Sequence, residues 1–186
     1  MIGFDNPYLS KPNDFLAGDP DDSWIFYISL DTETTGLPAR DHQPLSLALL
    51  NRAGQVLLHT LLRPVRRTRW PEAERVHGIR PDQVLRAGVP TLAELTPPLA
   101  DLVRGQHLVI YNAACDTQIL APVLALGPPA QIHCLLEEFT AFYGEWHPEG
   151  RALRRQRLAV AAAYVLHEWQ GPAHSALADT HAARAV

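Results

Sequence analysis

A continuous apolar run at residues 24–30 constrains the fold of this chain more than any other feature. Its letters, WIFYISL, are mostly aromatic and β-branched, and the run has the length of one strand. A strand without alternating polar residues is typical of the middle of a sheet that is covered on both faces. The run is followed at once by Asp31, so the sequence predicts a central strand whose end carries an acid.

Further apolar runs complete a sheet. Residues 45–50 and 55–62 are strand-like, and the short segment between them contains Gly54, which predicts a hairpin. Later strands are predicted at residues 107–111 and 130–134. They alternate with predicted helices, which fall at residues 116–126, 135–143, 156–169 and 175 to the end. A hairpin followed by alternating strands and helices gives an α/β fold, with a mixed β-sheet of about five strands flanked by helices.

Three short signals lie between the hairpin and the later strands. Pro71 and Pro81 are each placed to open a short helix, and they flank the loop H-G-I at residues 77–79. Residues 91–94, TLAE, have the spacing of a capping box, and leucines follow at helical intervals. We expect a helix here that is bent or split at the prolines 97 and 98.

Composition and hydropathy predict the number of domains and the location of the protein. The 186 residues are 47% hydrophobic, which suffices for a single core. Residues 1–23 lack periodicity and are predicted to be an irregular amino-terminal arm before a domain at residues 24–186. No apolar run approaches the ~20 residues that span a bilayer, and the features of a signal peptide are missing, so we expect a soluble cytoplasmic protein without a membrane partner. Cys115 and Cys134 lack C-x-x-C spacing and are predicted to be free thiols.

The charge distribution leaves two interpretations open. The net charge of −4 argues against a nucleic-acid partner, because phosphate binding depends on Lys and Arg. Fifteen of the sixteen basic residues are arginines, however, and eight of these form two local groups. These groups are Arg63, Arg66, Arg67 and Arg69, and Arg151, Arg154, Arg155 and Arg157. Each group is either a phosphate-binding patch or ordinary solvated surface.

An acidic pair at the end of the first strand indicates a metal site. Asp31 and Glu33 are one residue apart, so the period of a strand places both carboxylates on the same face. Two such carboxylates repel each other, and a divalent cation between them removes the cost. Hard oxygen ligands suit Mg²⁺ or Mn²⁺. The alternative is a solvated acidic strand end without a metal.

The segments around three other polar residues extend this hypothesis. A turn with Gly36 follows the acidic pair, and its backbone can approach a sugar or phosphate closely. Asp116 follows the strand at residues 107–111, where an acid is either a metal ligand or a helix cap. His174 precedes the last predicted helix and Asp179 lies one turn inside it. Histidines titrate near neutral pH, so His174 can take a proton from a metal-bound water.

Taken together, these segments resemble a known family. In order, D-T-E-T-T-G-L (31–37), Y-N-A-A-C-D (111–116) and H-S-A-L-A-D (174–179) are similar to the three motifs of the DEDDh, or DnaQ-like, 3′-to-5′ exonucleases, which have an RNase H-like fold. H-G-I (77–79) resembles a loop of the same family. The resemblance covers residues 24–186. The family often has His where Tyr111 stands, Phe where Cys115 stands and Asp near Cys134. We therefore expect the walls of the nucleotide pocket to differ from the usual ones.

The resemblance implies a role for each matching residue. Asp31, Glu33, Asp116 and Asp179 would hold two divalent metal ions, Mg²⁺ or Mn²⁺, with His174 as general base. The reaction implied is hydrolysis of phosphodiester bonds from the 3′ end of single-stranded DNA, with release of nucleoside 5′-monophosphates. The residues implied to contact the terminal nucleotide are Thr34, Thr35, Gly36, Leu37, Val76, His77 and Asn112.

The identity of the substrate and partner stays open at this point. An exoribonuclease or oligoribonuclease of the same fold is one alternative, because small changes near Glu33 and Leu37 decide whether a 2′-hydroxyl is accepted. A non-catalytic module that binds nucleic acid or associates with a polymerase is an alternative of another class. A DNA polymerase, or another replication or repair protein, is the expected protein partner.

Overall fold

The computed structural model describes residues 27–186 of the chain. The predicted arm at residues 1–23, and the beginning of the predicted first strand at residues 24–26, lie outside the described residues. Within this part of the chain, no helix is long and apolar enough to cross a membrane.

The described residues contain one mixed five-stranded sheet, as the sequence predicts. Its order is β3-β2-β1-β4-β5, with β1 antiparallel to β2 and parallel to β4. β2 and β3 form the predicted hairpin, and β4 is parallel to β5. The strands are β1 (Tyr27–Thr34), β2 (Pro44–Asn51), β3 (Val56–Leu61), β4 (His107–Ile110) and β5 (Gln131–Cys134).

β1 is the central strand, and it continues past the end of its apolar run. Ile28 and Leu30 are buried on one face and Ser29 on the other, as expected of a strand covered on both faces. The strand does not end before Asp31, because pairing with β2 continues through Glu33 opposite Ser46. An irregularity in register follows Glu33 and ends the regular ladder. Both acids therefore stand on a strand with a fixed backbone and not on a loose end.

Eight α-helices lie among the described residues, together with a short 3₁₀ helix at Ala39–Asp41. α1 and α2 open at Pro71 and Pro81 as predicted. α8 packs across β1, β2 and β4, and α3 packs against α5. The bounds are α1 (Pro71–His77), α2 (Pro81–Val84), α3 (Leu92–Val103), α4 (Ala113–Ile119), α5 (Ala121–Leu126), α6 (Leu135–Tyr143), α7 (Leu158–Tyr164) and α8 (Ala176–Ala185).

The expected split in α3 is wrong. The helix runs unbroken through Pro97 and Pro98, and its start is held by the predicted capping box of Thr91 and Glu94. The two prolines remove only two backbone donors, and Thr96 Oγ1 donates to the carbonyl of Leu92 at 2.9 Å in the same turn. Packing of the apolar face of α3 in the main core offsets this local loss.

The predicted helix at residues 116–126 is two helices. α4 begins earlier, directly after β4, so that Asp116 lies inside its first turn and Asn112 holds the cap position. The chain breaks at Leu120 because Pro122 cannot donate the backbone hydrogen bond that would join the two helices. The interpretation of Asp116 as a helix cap is therefore wrong.

α7 is shorter than predicted, and its end has a local cause. Leu166 adopts a left-handed backbone with φ of 57°. The amide of Leu166 donates to the carbonyl of Ala163 at 3.1 Å, and that of His167 donates to Ala162 at 2.9 Å. These two bonds form a Schellman motif, which usually has glycine at the left-handed position. Because Leu166 and not glycine occupies this position, the sequence gave no signal that the helix ends here.

The close approach of α3 and α5 generates a stability prediction. A Cβ atom at Gly127 would lie 2.0 Å from the carbonyl oxygen of Ala100, which is backbone and cannot swing away. Gly127→Ala should lower the free energy of unfolding by about 2–3 kcal/mol, the cost of overpacking a core. Gly105→Ala is the control, since a Cβ there meets nothing within 4 Å and only its φ of 70° is unfavourable. Urea denaturation of both variants measures the difference, and equal losses would contradict the packing argument.

Candidate active site

Three carboxylates converge at the end of β1. Asp31 and Glu33 point to one face of the strand, as their spacing predicts, and Asp179 reaches them from α8. One carboxylate oxygen from each of the three lies within 4.8 Å of the others. All three residues are only partly buried, so the cluster is open to solvent on one side. The packing of α8 across the sheet brings together acids that are almost 150 residues apart in the sequence.

Asp116 lies beside this cluster and not within the group of three. Its side chain, only 4% exposed, accepts a hydrogen bond from Thr32 Oγ1 at 2.6 Å. Thr32 separates the acids of the first motif, and strand alternation directs its side chain away from their face. Thr32 therefore fixes the orientation of the fourth acid. Sequence reasoning missed this residue, because its hydrogen bond joins two segments that are distant in the sequence.

Burial raises the pKa values of all four carboxylates, and neighbouring negative charges raise those of Asp31 and Glu33 further. Burial raises the pKa of Asp31 well above its usual range, and the negative charges of Asp116, Glu33 and Asp179 raise it further. Burial, with the charges of Asp179 and Asp116, raises the pKa of Glu33 to about 8. Burial raises the pKa of Asp116 to about 6, against the hydrogen bond from Thr32. The pKa of Asp179 is also raised by burial, which outweighs its hydrogen bond from the His174 amide.

This donor set fits a divalent cation. The ligands are carboxylate oxygens, which Mg²⁺ and Mn²⁺ prefer, and their charges are poorly compensated by the protein itself. A cation at this position would stabilise the ionised form of all these acids.

The turn that follows the acids is fixed by an internal network. The amide of Thr35 donates to the carbonyl of Gln43 at 2.9 Å, and Thr35 Oγ1 accepts from the Gln43 amide at 3.1 Å. Thr35 Oγ1 also lies 3.1 Å from His42 Nδ1. A Cβ at Gly36, where φ is 137°, would lie 2.6 Å from the His42 ring, so glycine is required there. The buried Thr35 therefore supports the turn through its side chain.

The H-G-I loop is joined to this turn by His77. The amide of Ile79 donates to His77 Nδ1 at 3.0 Å, so Nδ1 is the acceptor and the proton is on Nε2. Nε2 then donates to the carbonyl of Thr34 at 3.1 Å. Burial lowers the pKa of His77, which favours this neutral form. His77 thus holds the backbone next to Glu33 in position.

Four other predicted residues lie around the same turn and cluster. Leu37 is 71% exposed and Val76 is 55% exposed, and each is an apolar side chain next to the turn or the H-G-I loop. Asn112 is exposed at the cap position of α4, three residues before Cys115. His174 is exposed in the loop before α8, with φ of 61°, and its amide donates to Asp179 Oδ1 at 3.1 Å. The roles assigned to these residues stay predictions.

Comparison with known proteins identifies the family. The RNase_T exonuclease family matches residues 28–186 of the chain. The uncharacterized exonuclease CP81 of Escherichia phage 186 is 35% identical over 161 residues, which is 82% of this chain and 81% of that protein. The chain belongs to the DnaQ-like (DEDDh) family of exonucleases. It is therefore an enzyme, a nuclease, as its motifs predicted.

Other relatives of this exonuclease support the assignment and its fold. DNA polymerase III subunit epsilon of Escherichia coli strain K12 is 30% identical over 165 residues, or 82% of this chain and 65% of that protein. The structure of E. coli exonuclease I with a dA16 oligonucleotide superposes with a TM-score of 0.69 at 19% identity, over 87% of this chain and 40% of that one. The chain thus spans about two fifths of exonuclease I. The predicted RNase H-like fold is confirmed.

The raised carboxylate pKa values predict an unusual pH dependence for the metal-free exonuclease. Folding raises the pKa of Glu33 from 4.5 to about 8, so the folded protein binds more protons than the unfolded chain between these values. The contribution of Glu33 to stability in EDTA is therefore fully present below about pH 4.5 and falls by roughly 4 kcal/mol as the pH rises to about 8. Thermal unfolding in EDTA across this range measures the effect.

The matched control for this prediction is Glu33→Gln. Its side chain has a similar size but does not titrate, so the loss of stability with rising pH should be smaller than in the wild type. Mg²⁺ or Mn²⁺ should restore the stability of the wild type at high pH, because a cation stabilises the ionised acids. Identical pH profiles for both proteins would show that the cluster does not carry the repulsion described.

Proposed function

We propose that this exonuclease removes nucleotides one at a time from the 3′ end of single-stranded DNA and releases nucleoside 5′-monophosphates. The observation that carries the proposal is the convergence of Asp31, Glu33 and Asp179 at the end of β1, with Asp116 beside them and His174 at the rim. Hard oxygen ligands in a solvent-accessible cluster are suited to phosphodiester hydrolysis. A turn that offers backbone groups and exposed apolar side chains adjoins the cluster, where a terminal nucleotide would bind.

Asp31, Glu33, Asp116 and Asp179 would hold two divalent ions, Mg²⁺ or Mn²⁺. When bound, such ions polarise the phosphoryl oxygens and increase the acidity of water. The protein's own contribution is to fix the ligands: Thr32 orients Asp116, and the His174 amide orients Asp179. The buried backbone of β1 fixes the other two acids.

His174 is proposed as the general base. Its imidazole takes a proton from the attacking water while the water oxygen forms a bond to phosphorus and the bond from phosphorus to the 3′ oxygen breaks. The 3′ oxygen of the shortened strand then gains a proton from solvent. Exposure of His174 at the start of α8 gives it access to water, and its backbone bond to Asp179 ties its position to the acids.

The terminal nucleotide is proposed to bind between the turn and the H-G-I loop. Leu37 and Val76 are exposed apolar side chains that would pack against its sugar and base. His77 would act by holding the carbonyl of Thr34 and not by direct contact, since both its ring nitrogens already have partners. Backbone groups of Gly36 and the side chain of Asn112 complete the proposed pocket.

DNA is proposed as the substrate because of the relatives. One is named as a DNA polymerase III subunit, and the exonuclease I structures contain DNA oligonucleotides. The same relative supports the proposal that a DNA polymerase, or another replication or repair protein, is a partner of this chain. RNA of the same length is the alternative substrate that the experiment must exclude.

Hydrolysis of end-labelled oligomers tests the proposal. Matched DNA and RNA single strands, labelled at either the 5′ or the 3′ end, are incubated with Mg²⁺, Mn²⁺ or EDTA. We expect a 5′-labelled DNA strand to shorten stepwise, a 3′-labelled strand to release a labelled mononucleotide at once, and EDTA to stop both reactions. Faster shortening of RNA would overturn the choice of DNA, and the absence of cleavage in both metals would overturn the proposed reaction.

Two variants separate the roles within the site. Asp31→Ala should abolish both metal binding and hydrolysis, since it removes a central ligand.

His174→Ala should reduce kcat by about 100-fold or more while metal binding is kept, because general bases contribute about 10²–10⁴ in rate. Wild-type turnover in His174→Ala would exclude it as the base.

A further inference from the structure

The first arginine group lies next to the proposed nucleotide pocket. The basic loop, residues 63–69, connects β3 to α1, and α1 carries Val76 and His77. The amide of Arg66 donates to Gln43 Oε1 at 2.7 Å, and the Gln43 backbone is bonded to Thr35 of the turn. Hydrogen bonds from Arg66 to Gln43, and between Gln43 and Thr35, therefore connect the basic loop to the turn that follows Glu33.

The basic loop also has a fixed backbone. The Arg67 guanidinium donates to the carbonyl of Asp41 at 3.2 Å, in the 3₁₀ helix just after the turn. Arg63 Nε donates to the carbonyl of Val89 at 3.3 Å. At the end of the loop, the buried Trp70 donates to the carbonyl of Ile79 at 2.8 Å. These bonds go to neutral carbonyls, so they hold the loop in place without cancelling its charge.

Two arginines of the loop are not paired with an acid within residues 27–186. No aspartate or glutamate occurs in the sequence between Gly54 and Glu72. The side chains of Arg66 and Arg69 are exposed, and neither forms an ion pair or side-chain hydrogen bond within residues 27–186. Positive charge that is held in place and is not paired with an acid attracts phosphate.

The second arginine group differs in this respect. Arg154 is paired with Glu145 at 2.8 Å, and Arg155 is paired with Glu137. The segment from Glu137 to Arg157 contains as many glutamates as arginines, so its net charge is zero. Ion pairs within the protein therefore neutralise part of the positive charge of this group.

We infer that the basic loop binds the backbone phosphates of the substrate strand upstream of the terminal nucleotide, chiefly through Arg66 and Arg69. This inference rests on the proposed function. It makes the enzyme favour chains of several nucleotides over substrates that lack upstream phosphates. Binding of this kind is independent of sequence and weakens with salt.

The test compares a long substrate with one that has no upstream phosphate. The long substrate is a thymidine oligomer of about 12 nucleotides, enough to cover one single-strand binding site. The short one is a nitrophenyl ester of thymidine 5′-monophosphate. Arg66→Ala/Arg69→Ala should lower kcat/KM for the oligomer on the order of tenfold at moderate salt and leave the ester unchanged. The control, Arg151→Ala/Arg157→Ala, makes the same change in net charge and should leave both substrates unchanged.

Binding without catalysis provides a second, independent readout. In EDTA, fluorescence anisotropy gives the affinity for the labelled oligomer as a function of salt. The slope of log affinity against log salt should become shallower by about 1.4 in Arg66→Ala/Arg69→Ala, since each phosphate contact on a single strand contributes about 0.7. The control variant should keep the wild-type slope.

The outcomes separate this inference from the proposed function. Equal losses in both double variants, or an equal loss on the ester and the oligomer, would overturn the role of the basic loop. An unchanged salt slope in Arg66→Ala/Arg69→Ala would do so as well. Failure of the wild type to hydrolyse either substrate, with the difference in salt slope intact, would instead overturn the proposed reaction and support the loop as a binding surface.

Discussion

The burial of four carboxylates close together at the end of β1 is the constraint on which the rest of this structure depends. Asp31 and Glu33 stand on the central strand, and Asp179 and Asp116 are brought to them by α8 and α4. The protein provides a rigid backbone, the hydrogen bond from Thr32 and the amide of His174. Burial and neighbouring negative charges still raise the pKa values of Asp31 and Glu33, and a divalent ion at this position would stabilise their ionised forms.

Much of this arrangement was predictable from the sequence because its signals are local. The apolar run before Asp31 indicated a central strand, the turn at Gly54 indicated the hairpin, and the prolines 71 and 81 marked two helix starts. The candidate site residues were predicted because three motifs occur in the order typical of the family. Alternation along a strand was sufficient to place Asp31 and Glu33 on one face.

The rest depends on contacts between distant residues. The extension of β1 past Leu30 comes from pairing with β2, and the unbroken α3 comes from core packing that outweighs Pro97 and Pro98. The bond from Thr32 to Asp116 joins residues 84 positions apart, so no local pattern could show it. The same is true of the basic loop, whose position beside the turn follows from contacts to Gln43 and Asp41.

Calorimetric titration with Mn²⁺ at pH 7, repeated in buffers of different ionisation enthalpy, tests the central claim most directly. Because folding raises the pKa of Glu33 to about 8, this acid is largely protonated without metal, and binding of the ion must release its proton. We expect Mn²⁺ binding with proton release in the wild type and a smaller release in Glu33→Gln. Absence of Mn²⁺ binding, or binding without proton release, would contradict the account of the carboxylate cluster as a metal site.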